Sequence, residues 1–163
     1  MAAAPRVGRS SVSAGAGGAS RPVVLATLGV PFEPAACAFA VDAAVESGQP
    51  LILANVVELP LLAMSVHMGY DQLEDDPALA DSLRAPAELA ASLGISVERL
   101  RVRSPRPIVA LLELVAERSA GLLVFGADRS QMRRRRYRRA ARAISERAPC
   151  LVWLADDARA RKP

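Results

Sequence analysis

Four short apolar runs recur along the chain, and the segments between them carry a helical period rather than a strand period. The runs are PVVLATL (22–28), PLILANVVE (50–58), GLLVFG (121–126) and CLVWLA (150–155). Apolar runs of this length, rich in Val, Ile and Leu and without polar alternation, read as strands buried on both faces. A further strand, ISVERLRVR (95–103), alternates Ile95, Val97, Leu100 and Val102 imperfectly, as an edge strand with one solvated face would. Between the strands, EPAACAFAVDAAVESG (33–48) puts Ala36, Phe39, Ala40, Ala43 and Ala44 on one helical face and stops at Gly48. PALADSLRAPAELAASLG (77–94) is a second helix, kinked at Pro86 and closed by Gly94. A third follows Ser104-Pro105-Arg106-Pro107, and a fourth runs from Tyr137 to Arg147, closed by Ala148-Pro149. Residues 59–76 have no clean period and are expected to form a long connection. Five strands alternating with four helices imply right-handed βαβ crossovers and an α/β fold: one parallel sheet, covered on both faces. In such open sheets ligands bind beyond the carboxyl ends of the strands, here at Thr27–Val30 and Gly126–Arg129.

The 163 residues suffice for one domain, expected over 22–155, between a disordered tail (1–21) and a charged C-terminal tail (156–163). No apolar run approaches the ~20 residues that span a bilayer, and the N-terminus has no apolar signal core. With only Cys37 and Cys150, and no metal spacing between them, a reducing cytoplasm is the expected location. His67 is the only histidine; Asp71, Glu74, Asp75 and Asp76 follow it, but one histidine in an acidic connection is expected to be solvated, without a metal. Neither cysteine has an acid–base partner nearby and no Ser/His/Asp set is available, so no enzyme is expected. Ser10, Ser11 and Ser13 lie near arginines in the N-terminal tail as candidate modification sites.

PVVLATLG, LILANVVE, SPRPIVALLELVAERSAGLLVFGADR and SERAPCLVWLA, in that order and spacing, resemble the universal stress protein (UspA-like) family over about residues 22–155. The resemblance implies the strand order 3-2-1-4-5 of adenine-nucleotide alpha hydrolase-like folds, and a regulatory or binding role in the stress response. ATP-binding members carry Gly-x2-Gly-x9-Gly-Ser/Thr after the fourth strand: the glycines let backbone amides approach the phosphates, and the Ser/Thr caps a helix that favours anions. Here Gly126 matches the first glycine, Arg129 stands at the second, and Arg138 or Arg139, depending on register, at the third; the Ser/Thr is absent. Leu28 stands where such members tend to have an aspartate. The resemblance therefore places a vestigial or altered site on Thr27, Leu28, Gly29, Val56, Gly126, Arg129, Arg138 and Arg139. The expectation is no tight ATP binding and no other cofactor. The alternative is ATP held by arginine side chains in place of the backbone.

From Arg129 to Arg147 there are nine arginines and one acid, Glu146, a local charge of +8 in a chain of net +4. A solvated basic helix start, an anionic small ligand and non-specific nucleic-acid association are the three readings. Scarce aromatics and the lack of any reading helix weigh against nucleic acid, and the missing bulky apolar face against a membrane surface. Family members often dimerise by pairing the last strand with its symmetry mate, which implies a homodimer through Leu151 and Trp153. The other possibility is that Trp153 packs inward, near Ile144 and Ala148.

Overall fold

VVLAT is buried at every position, which a strand achieves only with neighbours on both edges and cover on both faces. This strand, β1 (Val23–Thr27), is the middle of the sheet in a computed structural model that describes residues 19–60 and 77–155. Along the chain follow α1 (Pro34–Ser47), β2 (Leu51–Glu58), α2 (Pro77–Ser92), β3 (Val97–Ser104), α3 (Pro107–Glu117), β4 (Leu122–Phe125), α4 (Arg134–Arg147) and β5 (Leu151–Leu154). Among the described residues the five strands form one sheet in the order β3-β2-β1-β4-β5, with every pairing parallel. The expected fold and strand order are the observed ones.

Side chains alternate between two apolar layers. Val24 and Ala26 of β1, Ile52, Ala54 and Val56 of β2, and Leu123 and Phe125 of β4 face α3 and α4. Val23, Leu25, Leu51, Leu53 and Val124 face α1 and α2. The alanine face of α1 is buried at Ala36, Ala40 and Ala44 together with Val41, while Phe39 and Ala43 pack at its margin. Small residues there let the helix lie close on the sheet, which is how a chain so poor in aromatics fills its interior. α2 runs on through Pro86.

Two sequence expectations need correction. α4 begins at Arg134, three residues before Tyr137, because arginine is a good helix former and nothing between Arg133 and Tyr137 breaks a helix. Trp153 does pack inward, but on the opposite face from Ile144 and Ala148: it stacks on Phe39 of α1, ring centroids 4.5 Å apart and planes 12° apart. Parity explains this, since Val152 and Leu154 already fill the α4 side. Residues 1–18, 61–76 and 156–163 lie outside the described residues, and with them Ser10, Ser11, Ser13, His67 and the acids from Asp71 to Asp76.

Candidate functional site

The sheet order reverses between β1 and β4, so the loops leaving those strands flank the expected binding crevice. The β1–α1 loop is built from buried polar groups that hold each other. Thr27 Oγ1 donates to the Val30 carbonyl at 2.8 Å, and the Gly29 amide donates to Asn55 Oδ1 at 3.0 Å. Gly29 has a φ of 70°, which a side chain would strain. Leu28 is 1% exposed and belongs to the core layer under α3 and α4. An ionised aspartate at that place would need a cation or donors to offset its burial. Val56 is fully buried in the same layer.

The β4–α4 loop is occupied with its own neighbours. Gly126 N–H donates to Ala26, Asp128 N–H to Pro31 and Gln131 N–H to Asp128, at 2.9, 2.9 and 3.1 Å. Ser130 gives both its amide and its hydroxyl to Asp128 Oδ1, at 2.9 and 2.7 Å. Glu33 N–H donates to the Gly126 carbonyl, and Phe32 bridges Ala127, so the two loops are stapled across the crevice. Gly126 serves packing here. A Cβ on it would collide with Ala36 Cβ and come within 3.1 Å of Leu25 Cδ1, so glycine is what allows α1 to seat. Arg129 lies over the ring of Tyr137, 5.0 Å from its centroid, and Tyr137 stacks in turn on Phe125 at 5.5 Å.

At the start of α4, Arg133 is the N-cap residue; it makes no side-chain capping bond, and no acid stands in the first turn. Arg138 and Arg139 fall inside the helix rather than at its cap, both exposed. A cleft of about 470 Å³ opens beside this helix at the carboxyl ends of β1, β2 and β3. Its floor is Leu28, Ile108 and Ala140; its rim carries Glu58, Arg106, Arg136, Arg139 and Arg147. Arg136 reaches Glu58 across the rim at 3.4 Å. The volume is that of a small-ligand site. Of the eight site residues expected from sequence, Leu28 and Arg139 line this cleft; Arg138 is exposed on α4 outside it, and the rest are buried in the sheet or lie in the stapled loops. Sequence reasoning passed over Asn55, the one polar residue in LILANVVE before its terminal glutamate, and Glu58, Arg106 and Arg136, which meet only through the fold.

Neither thiol is poised for chemistry. Burial, assisted by Glu33, pushes the Cys37 thiol up to about 11 against the pull of its own backbone hydrogen bond, and burial raises Cys150 as well. Both cysteines are free. Among the described residues no group of acids, histidines and cysteines is placed to hold a metal ion, and no helix is long and apolar enough to cross a membrane.

Comparisons with solved structures agree with this architecture. A universal stress protein in complex with cAMP is similar at a TM-score of 0.58 and 24% identity, over 85% of this chain and 98% of that one. The universal stress protein of Archaeoglobus fulgidus in complex with dAMP is similar at 0.58 and 16%, over 83% and 98%. UspA of Lactobacillus plantarum is similar at 0.57 and 18%, over 84% and 99%. A search of curated protein sequences found no match. At these identities the structures speak for the fold. The sequence model described as the Universal stress protein family matches residues 19–156, nearly all of the sheet and its helices. The chain belongs to the universal stress protein family and is a protein of the stress response.

Proposed function

We propose that this protein acts in the stress response as a regulatory or binding protein without chemistry of its own, and that it does not hold ATP tightly. The observation that carries this reading is the occupied loop: the amides of Gly126, Asp128, Ser130 and Gln131 already donate within the chain. A phosphate would have to break those bonds before the backbone could cradle it, and each broken bond costs about 1 kcal/mol or more. Leu28 in the core and the arginine start of α4 point the same way. Titration calorimetry with ATP, and mass spectrometry of gently purified protein, test it. The expected outcome is no co-purified nucleotide and a Kd weaker than about 100 μM, equivalent to about −5.5 kcal/mol. Tighter binding would favour the second reading, in which Arg136 and Arg139 on the cleft rim take the phosphates by side chain.

The same reading includes a cytoplasmic homodimer through β5. Leu151 is 76% exposed on this edge strand, beside the partly buried Trp153, whereas the opposite edge, β3, carries Arg99, Arg101 and Arg103. An apolar edge invites pairing and a row of like charges discourages it. Leu151→Lys is the better test than Trp153→Lys, because Trp153 also supports Phe39. Light scattering should find a dimer at tens of micromolar that the Leu151→Lys variant loses; a wild type that stays monomeric refutes the interface.

A further inference from the structure

α4 turns Tyr137, Ala140, Ala141 and Ile144 into the core and leaves Arg134, Arg135, Arg138 and Arg142 exposed. Arg142 bonds Glu146 at 2.8 Å on the same helix. Among the described residues Arg133, Arg134, Arg135 and Arg138 meet no carboxylate. Cations in the first turn oppose the positive end of the helix dipole, and Arg134 and Arg138 repel each other at i,i+4. We propose that the exposed face of α4 holds duplex nucleic acid by its phosphate backbone, without reading its sequence.

The chemistry of the face selects this partner over other anions. From Arg134 to Arg142 the guanidinium groups are strung along about 12 Å of helix, at 1.5 Å per residue, instead of converging on one point as a single phosphate would require. No bulky apolar residue stands among the outward-facing positions, so an acidic protein would find no aromatic or aliphatic side chain to bury beside the arginines, and a bilayer no face to insert. Single strands are held largely by stacking on aromatics, and Tyr137, the one aromatic of the run, is 2% exposed beneath Arg129. What remains is a dense, regular line of charge: a duplex carries one about every 1.7 Å of its axis.

Fluorescence anisotropy of the full chain with a labelled random-sequence duplex, over a salt series, tests the proposal. The expected result is micromolar binding at low salt with a slope of log K against log salt near about −4, for four or so phosphate contacts. Arg134→Glu/Arg135→Glu/Arg138→Glu should bring the slope to about −1 and weaken low-salt binding by more than about tenfold. Acids in the first turn favour the helix, so this variant is expected to fold, as circular dichroism will verify; the triple Gln variant gives the same readout with less charge change. Arg84→Glu/Arg99→Glu/Arg101→Glu, matched in charge but on α2 and β3 away from α4, should keep the wild-type slope within about one. No binding at low salt overturns the proposal, as does an equal loss in both triple Glu variants. A single strand bound more than about tenfold tighter than the duplex does so too, because stacking would then be at work.

Discussion

Gly126 separates two reasons for a glycine at the end of a strand. If it is there to let phosphate approach the backbone, alanine should leave stability unchanged. If it is there to seat α1, alanine should destabilise the protein in its unliganded form. Gly126 is not among the positive-φ glycines, so alanine brings no backbone strain and the clash is isolated. The added methyl would collide with Ala36 Cβ, fully buried in the first turn of α1, and press on Leu25 Cδ1 in the central strand. Ala36 Cβ is fixed to the helix backbone, and Leu25, though met at a side-chain end, is fully buried, so helix and sheet must part. Overpacking of this kind costs about 1–3 kcal/mol, and reduced unfolded-state entropy returns about 0.4–1. The expected net loss is about 1–1.5 kcal/mol, read by urea denaturation followed by circular dichroism. Ala36→Gly alone should cost about 1–2 kcal/mol in helix propensity and lost burial. The double variant should then be more stable than the two single losses predict, with a coupling of about 1–2 kcal/mol. A Gly126→Ala protein as stable as wild type, or a cycle with no coupling, would refute the packing account.

Other outcomes follow from single groups. Ser119 sits at φ 51° just after α3, so Ser119→Gly should stabilise the protein by about 0.5–1 kcal/mol in the same urea assay. Asn55→Ala removes the acceptor of the Gly29 amide and should cost about 1–2 kcal/mol, with faster hydrogen exchange at Gly29. With the Cys37 thiol raised from 9.0 to about 11, alkylation of Cys37 should be slow at neutral pH and accelerate through that range. The sign for stability is that the fold prefers the neutral thiol. Its contribution is complete below about 9 and is lost as pH rises through about 11, so Cys37→Ala should flatten the alkaline arm of the stability curve.

The sheet was legible because its signals are local. Each buried strand is a predominantly apolar run, and each helix between strands shows its period within its own length, so element order and the α/β class follow without knowing what touches what. Arg129 and Leu28 stand out only against the family's motif, which supplies the residues expected at those places. The cleft beside α4 has no such local signal. Glu58 and Arg136 are 78 positions apart, and the cleft they rim draws its floor from Leu28, Ile108 and Ala140. No window of sequence contains such a site. α4 starts three residues before Tyr137, the first residue of its apolar period, because consecutive arginines extend a helix without adding to that period.

Trp153 marks the same boundary between local and assembled information. Alternation along CLVWLA assigns Leu151 and Trp153 to one face and Val152 and Leu154 to the other, but cannot tell which face lies under which helix. Packing decides it: α4 covers Val152 and Leu154, Phe39 of α1 meets Trp153, and among the described residues nothing on that side reaches Leu151 enough to bury it. The sheet thus ends in two unlike edges. At β3, a two-fold pairing centred on Arg101 would set Arg101 against its own copy and Arg99 against the Arg103 of the second copy, and each such meeting is repulsive. At β5 the corresponding meeting is apolar. A molecule with one sealed edge and one open edge can extend its sheet once, through a two-fold axis, and then has only sealed edges left. If the proposed β5 pairing forms, assembly by strand pairing should stop at two copies, and a Leu151→Lys protein, with both edges charged, should stop at one.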